Sequence, residues 1–410
     1  MSGWIRDYKL KNGETRWAYG YRWQDPVTGR TRSTTKRGFT RKRDAETALR
    51  KVLIGIDEGT HVEPSKITVA EWADEFLESI EPTGKGGRRH RGKVGIGTHA
   101  TYRQYLETYV VRRWGQRRLA DITARDIDKL YDHLEREGGR SGTGLSPKTV
   151  ANLHGVLSQF FKAAVRRDPP VLARNPLERV AAPKPNDPDT AIWDAAELGR
   201  FVEHVTLNDP DRLAGWLLFV TTGLRRGEVS GLVWPDIDLE AGTVTVRMTL
   251  GLVDSKITWK AGAKTEAGDR TIALDPATVA ALRDHRARQL RWRLAAGEVW
   301  EDGYTDWRGT RRDDRVFTRE DGAIINPARW SAWFRKHCAD AGLQRIRAHD
   351  MRHSYATLAA SRAESFADVI VLSRRLGHKS VAVTLDRYGH YLPRQDEAMA
   401  KGLAELILGA

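Results

Sequence analysis

The chain has 410 residues, too many for one ordinary hydrophobic core, so two or three domains are expected. Its net charge of +14 favours a polyanionic partner, either a nucleic acid or an anionic membrane surface, although a basic protein without such a partner also fits. The single cysteine, Cys338, excludes an intrachain disulfide and a cysteine-based zinc site, and it fits a reducing compartment.

The apolar residues are not arranged as in a membrane-bound or secreted protein. No apolar run approaches the ~20 residues that span a bilayer. The opening segment MSGWIRDYKL lacks the apolar core of a signal peptide. We therefore expect a cytoplasmic protein that binds nucleic acid and has no membrane partner.

The first segment is the most basic part of the chain, with 12 Lys and Arg residues but three Asp and Glu residues in positions 1–43. Alternating aromatic and polar residues around the turn sequence DPVTGR predict a small antiparallel sheet, and helical periodicity follows over 40–58. Trp17, Tyr19 and Tyr21 fit a core beneath that helix. The other face is either a solvated basic surface or a phosphate-binding surface, with these candidate DNA contacts: Arg30, Arg32, Lys36 and Arg37.

Residues 66–180 have the periodicity of an all-helical bundle with four main helices. Thr68 and Glu71 form the sequence signature of a capping box at the first of them. Two glycine-rich segments, 83–97 and 138–146, interrupt the bundle. The first is either a solvated loop or a DNA-contacting loop, because it crowds these basic residues together: Arg88, Arg89, His90, Arg91 and Lys93.

The segment AAPKPNDPDT at 181–190 holds three prolines and two aspartates, which is typical of a linker between domains. The region that follows, 191–410, mixes helical and strand-like patterns. Helices are predicted near 194–206, 211–222 and 226–232, and strands near 242–248, 255–260 and 270–274. The rest reads as helical.

Four stretches of this last region carry residues suited to chemistry on an anion. They are TTGLRRGEVSGLVWPDID (221–238), KAGAKTEAGDRTIAL (260–274), HDMRHSYATL (349–358) and RRLGHKSVAVTLDRYGHYLP (374–393). Each is weak alone, because an arginine pair or a terminal tyrosine usually has a structural role. Together, in the order Arg, Lys, His-x-x-Arg, Gly-His and Tyr, they resemble the catalytic domain of the tyrosine recombinase (phage integrase) family.

The resemblance implies that Arg225 and Arg352 grip the scissile phosphate, since two guanidiniums can bind its oxygens and stabilise a pentacoordinate transition state. Glu228, three residues after Arg225, can orient it. His349 can donate to the phosphate or take the tyrosine proton. His378 follows Gly377 at a helix end, just before Ser380 as the expected N-cap of the next helix, and supplies a further phosphate contact.

Two pairs of residues compete for the remaining catalytic roles. Lys264 is implied as the general acid for the leaving 5′ oxygen, with Lys260 as its competitor. Tyr388 is implied as the nucleophile that forms a 3′-phosphotyrosyl linkage, because the surrounding cations favour its phenolate. Tyr391 is expected to pack instead.

Other catalytic machinery has no signature in the chain. It contains no G-x-x-x-x-G-K-[ST] loop and no H-E-x-x-H motif, and its acidic clusters lack the pattern of a metal-dependent nuclease. We expect no metal and no cofactor, because arginines supply the positive charge and the covalent linkage conserves the phosphate energy without ATP.

The resemblance implies a multidomain fold. Its expected parts are a small α+β arm-binding domain with a three-stranded sheet and a helix (1–62), an all-α core-binding bundle (66–180), and a mixed, mainly-α catalytic domain with a small antiparallel sheet (191–410). The last two domains are expected to clamp double-stranded DNA at core sites, and the first to read arm sites.

The resemblance also implies a homotetramer on DNA that exchanges strands through a Holliday junction. An amphipathic pattern at 396–410, with Met399, Leu403 and Leu406 on one side, either closes its own domain or, as we favour, docks on a neighbouring protomer. A host DNA-bending protein and a directionality factor are further partners that the sequence leaves open.

Two other functions compete with recombination. A DNA-binding regulatory protein on a degenerate recombinase scaffold would lack part of the catalytic set, which is complete here. A topoisomerase would use the same chemistry without exchanging partners, but the arm-like segment favours a recombinase.

Overall fold

The computed structural model describes residues 2–24, 31–57, 65–82, 94–139, 142–185, 191–254, 256–261, 269–301, 303–305, 311–312 and 314–392. The chain divides into two compact units, Met1–Ile80 with Thr101–Asn186, and Glu81–Ala100 with Asp187–Ala410. The predicted limits of the arm and core domains stay a prediction. The amphipathic pattern at 396–410 lies outside the described residues.

The N-terminal segment forms a three-stranded antiparallel sheet in the order β1 (Ser2–Lys9), β2 (Thr15–Gln24), β3 (Thr31–Phe39), followed by α1 (Lys42–Asp57). Side chains alternate along β2, so Tyr19, Tyr21 and Trp23 share one face and pack against Ala45 and Leu49 of α1. This arrangement confirms the predicted sheet, helix and aromatic core.

The middle of the chain forms the predicted helical bundle. Its elements are α2 (Val69–Ser79), α3 (Ile96–Tyr105), a π-helical segment (Leu106–Val111), α4 (Arg112–Trp114), α5 (Ala124–Glu137) and α6 (Pro147–Arg166). Thr68 and Glu71 form the predicted capping box at the start of α2. Aromatic and aliphatic side chains from these helices make one core, in which Trp72, Phe76 and Phe160 are buried.

The C-terminal unit is mainly helical. Its described helices are α7 (Ala195–Asn208), α8 (Leu213–Thr222), α9 (Arg226–Ser230), α10 (Pro276–Ala296), α11 (Ala328–Asp340), α12 (Asp350–Ser361), α13 (Phe366–Leu376) and α14 (Val381–Tyr388). Large aromatic side chains fill the core between them, including Trp193, Phe201, Trp216, Trp330 and Phe334. Within the described residues, no helix combines the length and apolar character needed to cross a bilayer.

The strands of this unit are β4 (Ile237–Asp238), β5 (Thr243–Val246), β6 (Met248–Val253), β7 (Lys256–Ala261), β8 (Arg270–Ala273), β9 (Tyr304–Thr305) and β10 (Arg311–Arg312). β4, β5 and β8 form one antiparallel sheet, whereas β6 and β7 form a separate hairpin and β9 pairs with β10. The small antiparallel sheet is therefore as predicted. The hairpin, which the sequence pattern did not distinguish from the sheet, separates β5 from β8 along the chain.

Candidate active site

A buried carboxylate, Glu228, organises one side of the site. It lies at the third position of α9, and its side chain accepts hydrogen bonds from the backbone N–H of Arg225 at 2.8 Å and from Arg225 Nη1 at 2.9 Å. The Glu228 side chain is 2% exposed, whereas the Arg225 side chain is 39% exposed. Glu228 therefore holds Arg225 at the edge of the site, where its guanidinium can reach a ligand.

Arg270, at the start of β8, is a second partner of Glu228 that the sequence analysis missed. Its Nη1 and Nη2 lie 3.1 and 2.8 Å from the carboxylate oxygens, and its Nε donates to the carbonyl of Arg375 at 2.8 Å. Burial acts to raise the pKa of Glu228, but Arg270 and Arg225 outweigh it and hold that pKa below its ordinary value. Glu228 is therefore ionised between two guanidiniums.

A third guanidinium, that of Arg352, is buried and is held by the ends of two helices. Its Nη1 donates to the carbonyl of Gly223, just after α8, at 2.8 Å, and its Nη2 donates to the carbonyl of Leu376, at the end of α13. Carbonyls at helix C-termini carry partial negative charge and favour a cation. Burial and the charge of Arg225 lower the pKa of Arg352 to about 9, so it still carries its proton at neutral pH.

Two glycines make this packing possible. Gly223 and Gly377 both have left-handed backbones, with φ of 66° and 62°, which favour glycine. A Cβ on Gly223 would lie 2.5 Å from the ring of Tyr355, and one on Gly377 would lie 2.8 Å from the guanidinium of Arg270. The Gly in Thr-Gly-Leu-Arg and the Gly in Gly-His therefore serve both the helix ends and the arginine contacts.

The histidines of the two sequence motifs are neutral at physiological pH. Burial, His353 and Arg352 lower the pKa of His349 to about 4, and burial with the charges of Arg352 and Arg225 lowers that of His378 to about 4. His378 follows Gly377 as predicted, and its Nδ1 lies 2.8 Å from Thr384 Oγ1. When the hydroxyl donates to Nδ1, His378 Nε2 carries the proton and can donate to a phosphate oxygen.

Ser380 takes the predicted place before α14 but not the predicted hydrogen bond. Its backbone is extended, with φ −150° and ψ 155°, and its side chain caps no backbone N–H of α14. The predicted N-cap position of Ser380 is therefore correct, but the side chain does not make the capping hydrogen bond.

Tyr388 is the last residue of α14 and is 4% exposed. Its ring packs with Ala356, Ala360 and Leu376, and its hydroxyl oxygen lies 2.7 Å from Nδ1 of His353. Burial raises the pKa of Tyr388 above its ordinary value, while nearby arginines act in the opposite direction. The buried phenol is therefore protonated and hydrogen-bonded at neutral pH.

Tyr391 does not pack as expected. It is 38% exposed, and its ring lies against that of His390, with centroids 4.0 Å apart. Its position after the end of α14 places it outside the apolar cluster that encloses Tyr388. The expectation that Tyr391 packs is therefore wrong, and Tyr388 is the tyrosine that is buried.

Contacts bring the predicted residues together around Tyr388. Arg352 donates to the carbonyls of Gly223 and Leu376, which lie two residues before Arg225 and His378, respectively. The ring of His349 meets that of His353, whose Nδ1 contacts the Tyr388 hydroxyl. Five of the six predicted catalytic residues are thus brought together: Arg225, His349, Arg352, His378 and Tyr388.

Several predicted residues cannot be placed. Lys264 lies outside the described residues, as do four candidate DNA contacts: Arg30, Arg88, Arg89 and Arg91. Its competitor Lys260 belongs to β7, where its backbone pairs with Thr249. The general-acid assignment stays a prediction.

One group of potential metal ligands occurs among the described residues. His204, His337 and Asp340 each offer a ligand atom, and these atoms lie within 4.8 Å of one another. Protein partners occupy them: His337 lies 3.3 Å from His204 and 3.0 Å from Asp209. Asp340 pairs with Lys336 at 2.7 Å. We therefore interpret the group as a polar network between α7 and α11.

Replacing Arg270 (Arg270→Ala) is expected to destabilise the fold at pH 7 by roughly 3–5 kcal/mol, because one guanidinium of a buried ion pair is lost. In the folded protein the pKa of Glu228 is below its ordinary value. Its ion pairs therefore stabilise the fold fully at pH values above the pKa of the unfolded carboxyl group, about 4.3. This stabilisation is lost as the pH falls through the lower pKa of the folded protein.

Urea denaturation at several pH values measures this effect. The difference between the Arg270→Ala variant and the wild type is expected to shrink on acidification. As a control, adding Glu228→Gln to Arg270→Ala should recover part of the lost stability, because it removes the uncompensated charge. A pH-independent difference, or no recovery, would contradict the role assigned to the pair.

Comparisons with known proteins found related families and proteins for this chain. A sequence profile described as the phage integrase family matches residues 194–394, and one described as an arm DNA-binding domain matches residues 7–56. A "Tyrosine recombinase XerC-like" protein of Caldanaerobacter subterraneus is 28% identical over 385 residues, which cover 90% of each chain. The ICEBs1 integrase of Bacillus subtilis is 28% identical over 408 residues, 97% of this chain and 99% of that protein.

Solved structures share the fold. The Tn1549 transposon integrase in complex with a circular intermediate DNA superposes with a TM-score of 0.63 at 17% identity, covering 83% of this chain and 100% of that one. A lambda integrase tetramer bound to a Holliday junction gives a TM-score of 0.53 at 17% identity, covering 95% of each chain. On these matches, and with the motif residues gathered around Tyr388, the chain belongs to the tyrosine recombinase (phage integrase) family, whose members cleave and rejoin DNA strands.

Proposed function

We propose that this protein is a site-specific recombinase that joins DNA to Tyr388 through a 3′-phosphotyrosyl intermediate and exchanges strands through a Holliday junction, without metal or ATP. The observation that carries the proposal is a buried tyrosine whose hydroxyl lies 2.7 Å from Nδ1 of His353, the residue that directly follows Arg352. The names of the relatives, which include a transposon integrase and the ICEBs1 integrase, favour a role in integrating or excising a mobile element or phage genome.

The phosphodiester would be bound by Arg225 and Arg352, with His378 Nε2 and His349 as further donors. Both guanidiniums are fixed before DNA arrives, Arg225 by Glu228 and Arg352 by two carbonyls. Fixed donors stabilise the charge of a pentacoordinate transition state without having to reorganise.

The cleavage step transfers the phosphoryl group from the 5′ oxygen to the tyrosine. The Tyr388 oxygen gives its proton to a neighbouring histidine and bonds to phosphorus as the bond from phosphorus to the 5′ oxygen breaks. The leaving oxygen takes a proton from a general acid, the role proposed for Lys264. Rejoining reverses these steps with a 5′-hydroxyl from the partner duplex, so the phosphate energy is retained.

Residues 66–180 and the catalytic domain are proposed to bind core sites, and the N-terminal sheet to bind arm sites. A homotetramer would hold two duplexes. Host DNA-bending and directionality factors remain part of the proposal, because the orientation of the reaction requires some asymmetry between sites.

The arm-binding surface that we propose is the sheet face opposite α1. Arg22 alternates with Tyr21 of the core and is exposed, and the Arg37 guanidinium lies 5.8 Å from the ring of Tyr8. Arg6 lies 4.5 Å from the ring of Trp4 on the same face. Arginines over aromatic rings leave their outer N–H groups available for phosphate.

Two of the predicted arm contacts are less suited to that face. Arg32 lies opposite Trp23 in the sheet, and Lys36 lies opposite Tyr19. Paired residues share a face, so both basic residues are on the face that packs against α1, although both are exposed. Of the described candidates, Arg37 is the one placed on the opposite face.

The double substitution Arg22→Ala with Arg37→Ala is expected to weaken arm-DNA binding roughly 10-fold or more. It should also reduce the slope of log affinity against log salt by about 2, since each phosphate contact contributes about 0.9. Fluorescence anisotropy across a salt series measures both quantities. Arg50→Ala with Lys51→Ala, exposed on α1, serves as the matched control and should change neither. Equal losses in the two double variants would contradict the proposed face.

The proposed function is tested on DNA fragments that the purified protein selects from a genomic library. When a nick lies beside the cleavage site, cleavage releases a short strand that carries the 5′-hydroxyl. Its loss by diffusion prevents rejoining and traps the intermediate. Denaturing gels should show a covalent adduct that forms in the presence of EDTA, and peptide mass spectrometry should find the nucleotide on Tyr388. Selective binding without an adduct would favour the degenerate DNA-binding protein. Relaxation of supercoils without strand exchange would favour the topoisomerase.

A further inference from the structure

A histidine outside the predicted catalytic set contacts the nucleophile. The ring nitrogen that the structure places at the Tyr388 hydroxyl is Nδ1 of His353, at 2.7 Å. The two rings are tilted by 44°, with centroids 6.0 Å apart, so they are not stacked, and the close contact between them is the one between the hydroxyl oxygen and Nδ1. His353 directly follows Arg352, which is one of the predicted phosphate-binding residues.

We propose that His353 is a catalytic residue that takes the proton from Tyr388 during cleavage and returns it during rejoining. This inference rests on the proposed phosphotyrosyl chemistry. As the bond from the tyrosine oxygen to phosphorus forms and the bond to the 5′ oxygen breaks, the phenolic proton moves to Nδ1 of His353. A separate general acid protonates the 5′ oxygen, so one proton is accepted and one is donated in each direction.

The geometry at the start of α12 gives His349 and His353 different roles. Residues three and four apart share a helix face, so His349, Arg352 and His353 point to the same side. The ring of His349 meets that of His353 edge to face, with centroids 5.3 Å apart and planes at 89°. His353 therefore occupies the position next to the Tyr388 hydroxyl, and His349 remains available to bind the phosphate.

The charges around His353 support a neutral ring that can accept a proton. A protonated phenol donates to Nδ1 only when the histidine proton is on Nε2. Burial lowers the pKa of His353; Asp350 on its own helix raises it, while Arg387 on α14, Arg352 and Arg347 lower it. A bound phosphodiester adds a negative charge to this neighbourhood, which favours the imidazolium formed by proton transfer.

The decisive variant is His353→Gln, whose amide oxygen can still accept a hydrogen bond from Tyr388 but cannot take the proton. Single-turnover cleavage of the nicked substrate is expected to fall roughly 10²–10⁴-fold, which is the usual contribution of general acid–base catalysis. His353→Ala should fall at least as far. DNA affinity and the thermal midpoint of His353→Gln should stay close to those of the wild type.

Two chemical substitutions show whether His353 acts as a base or only supports the structure of the site. A sulfur in place of the 5′ bridging oxygen leaves without a proton, so it should restore cleavage to Lys264→Ala but not to His353→Gln. Fluorotyrosine at position 388 has a more acidic phenol, so it should restore much of the rate to His353→Gln and little to Lys264→Ala.

Each outcome decides the inference. A wild-type rate for His353→Gln, rescue of it by bridging sulfur, or no gain from fluorotyrosine would each overturn His353 as the base. If His349→Gln instead shows the fluorotyrosine rescue, the base is His349. Should the wild type form no adduct at Tyr388, the proposed function itself fails. An adduct in the wild type with an unaffected His353→Gln would leave that function standing and remove only this inference.

Discussion

The Tyr388→Phe variant is expected to form no covalent adduct with DNA while keeping its fold and its affinity for DNA. The substitution removes only the hydroxyl oxygen, so the ring still packs with Ala356, Ala360 and Leu376. The lost hydrogen bond to His353 should cost no more than about 1–3 kcal/mol, the range for a buried partner left unsatisfied. No atom of the phenylalanine ring can replace the hydroxyl oxygen as the nucleophile.

For this variant, denaturing gels of the trapped complex measure the adduct, fluorescence anisotropy measures the affinity for DNA, and thermal unfolding measures the stability of the fold. The chain offers a matched control in Tyr391→Phe, which removes the same atom from the exposed neighbouring tyrosine and should leave all three unchanged. An adduct formed by Tyr388→Phe, or an adduct lost in Tyr391→Phe, would mean that the nucleophile has been misassigned.

Replacing Arg352 is expected to have the second largest effect, and to affect catalysis and stability together. In Arg352→Ala, cleavage should fall by at least roughly 10²–10³-fold, the usual cost of one preorganised donor to a transition-state oxyanion. Stability should fall by roughly 2–4 kcal/mol, because hydrogen bonds from a charged group contribute about 1.5–3 kcal/mol each and removal of a desolvated charge offsets part of the loss.

Arg352→Lys separates the two effects. An ammonium keeps the charge but cannot reach the carbonyls of Gly223 and Leu376 and a phosphate at once. It should therefore recover part of the cleavage rate and less of the stability. Rates are measured below the unfolding midpoint of the weaker variant, with the exposed Arg362→Ala near the end of α12 as control. A fully stable Arg352→Ala would contradict the bridging role of this residue.

The sequence predicted the core of the site because its motifs are local. His349 and Arg352 lie on one helix turn, and Arg225 and Glu228 lie on another, so spacing alone defines their common faces. The N-terminal sheet, the helical bundle and the mixed C-terminal region could be predicted in the same way, from changes in composition and periodicity. Lys264, in the glycine-rich stretch between β7 and β8, depends on chain geometry that its spacing does not define.

The residues that the sequence analysis missed depend on contacts between distant elements. Arg270 reaches Glu228 from 42 positions away, across the start of a strand. His353 gave one signal, its spacing of four from His349, but its partner Tyr388 is 35 positions away. In β3, the register shift near Gly38, whose φ is 103°, decides which basic residues face away from α1. A one-residue shift reverses the two faces, so spacing could not select Arg37 over Lys36.

The anchoring of Arg352 by the ends of α8 and α13 bears on how the enzyme exists between encounters with DNA. Like charges crowded together would push apart in a protein that had to wait for its substrate to neutralise them. Here the peptide dipoles and one acidic side chain supply that neutralisation permanently, so the cluster of guanidiniums persists in the DNA-free protein. We therefore expect the timing of strand cutting to depend on whether a duplex is correctly seated, and not on assembly of this cluster after DNA arrives.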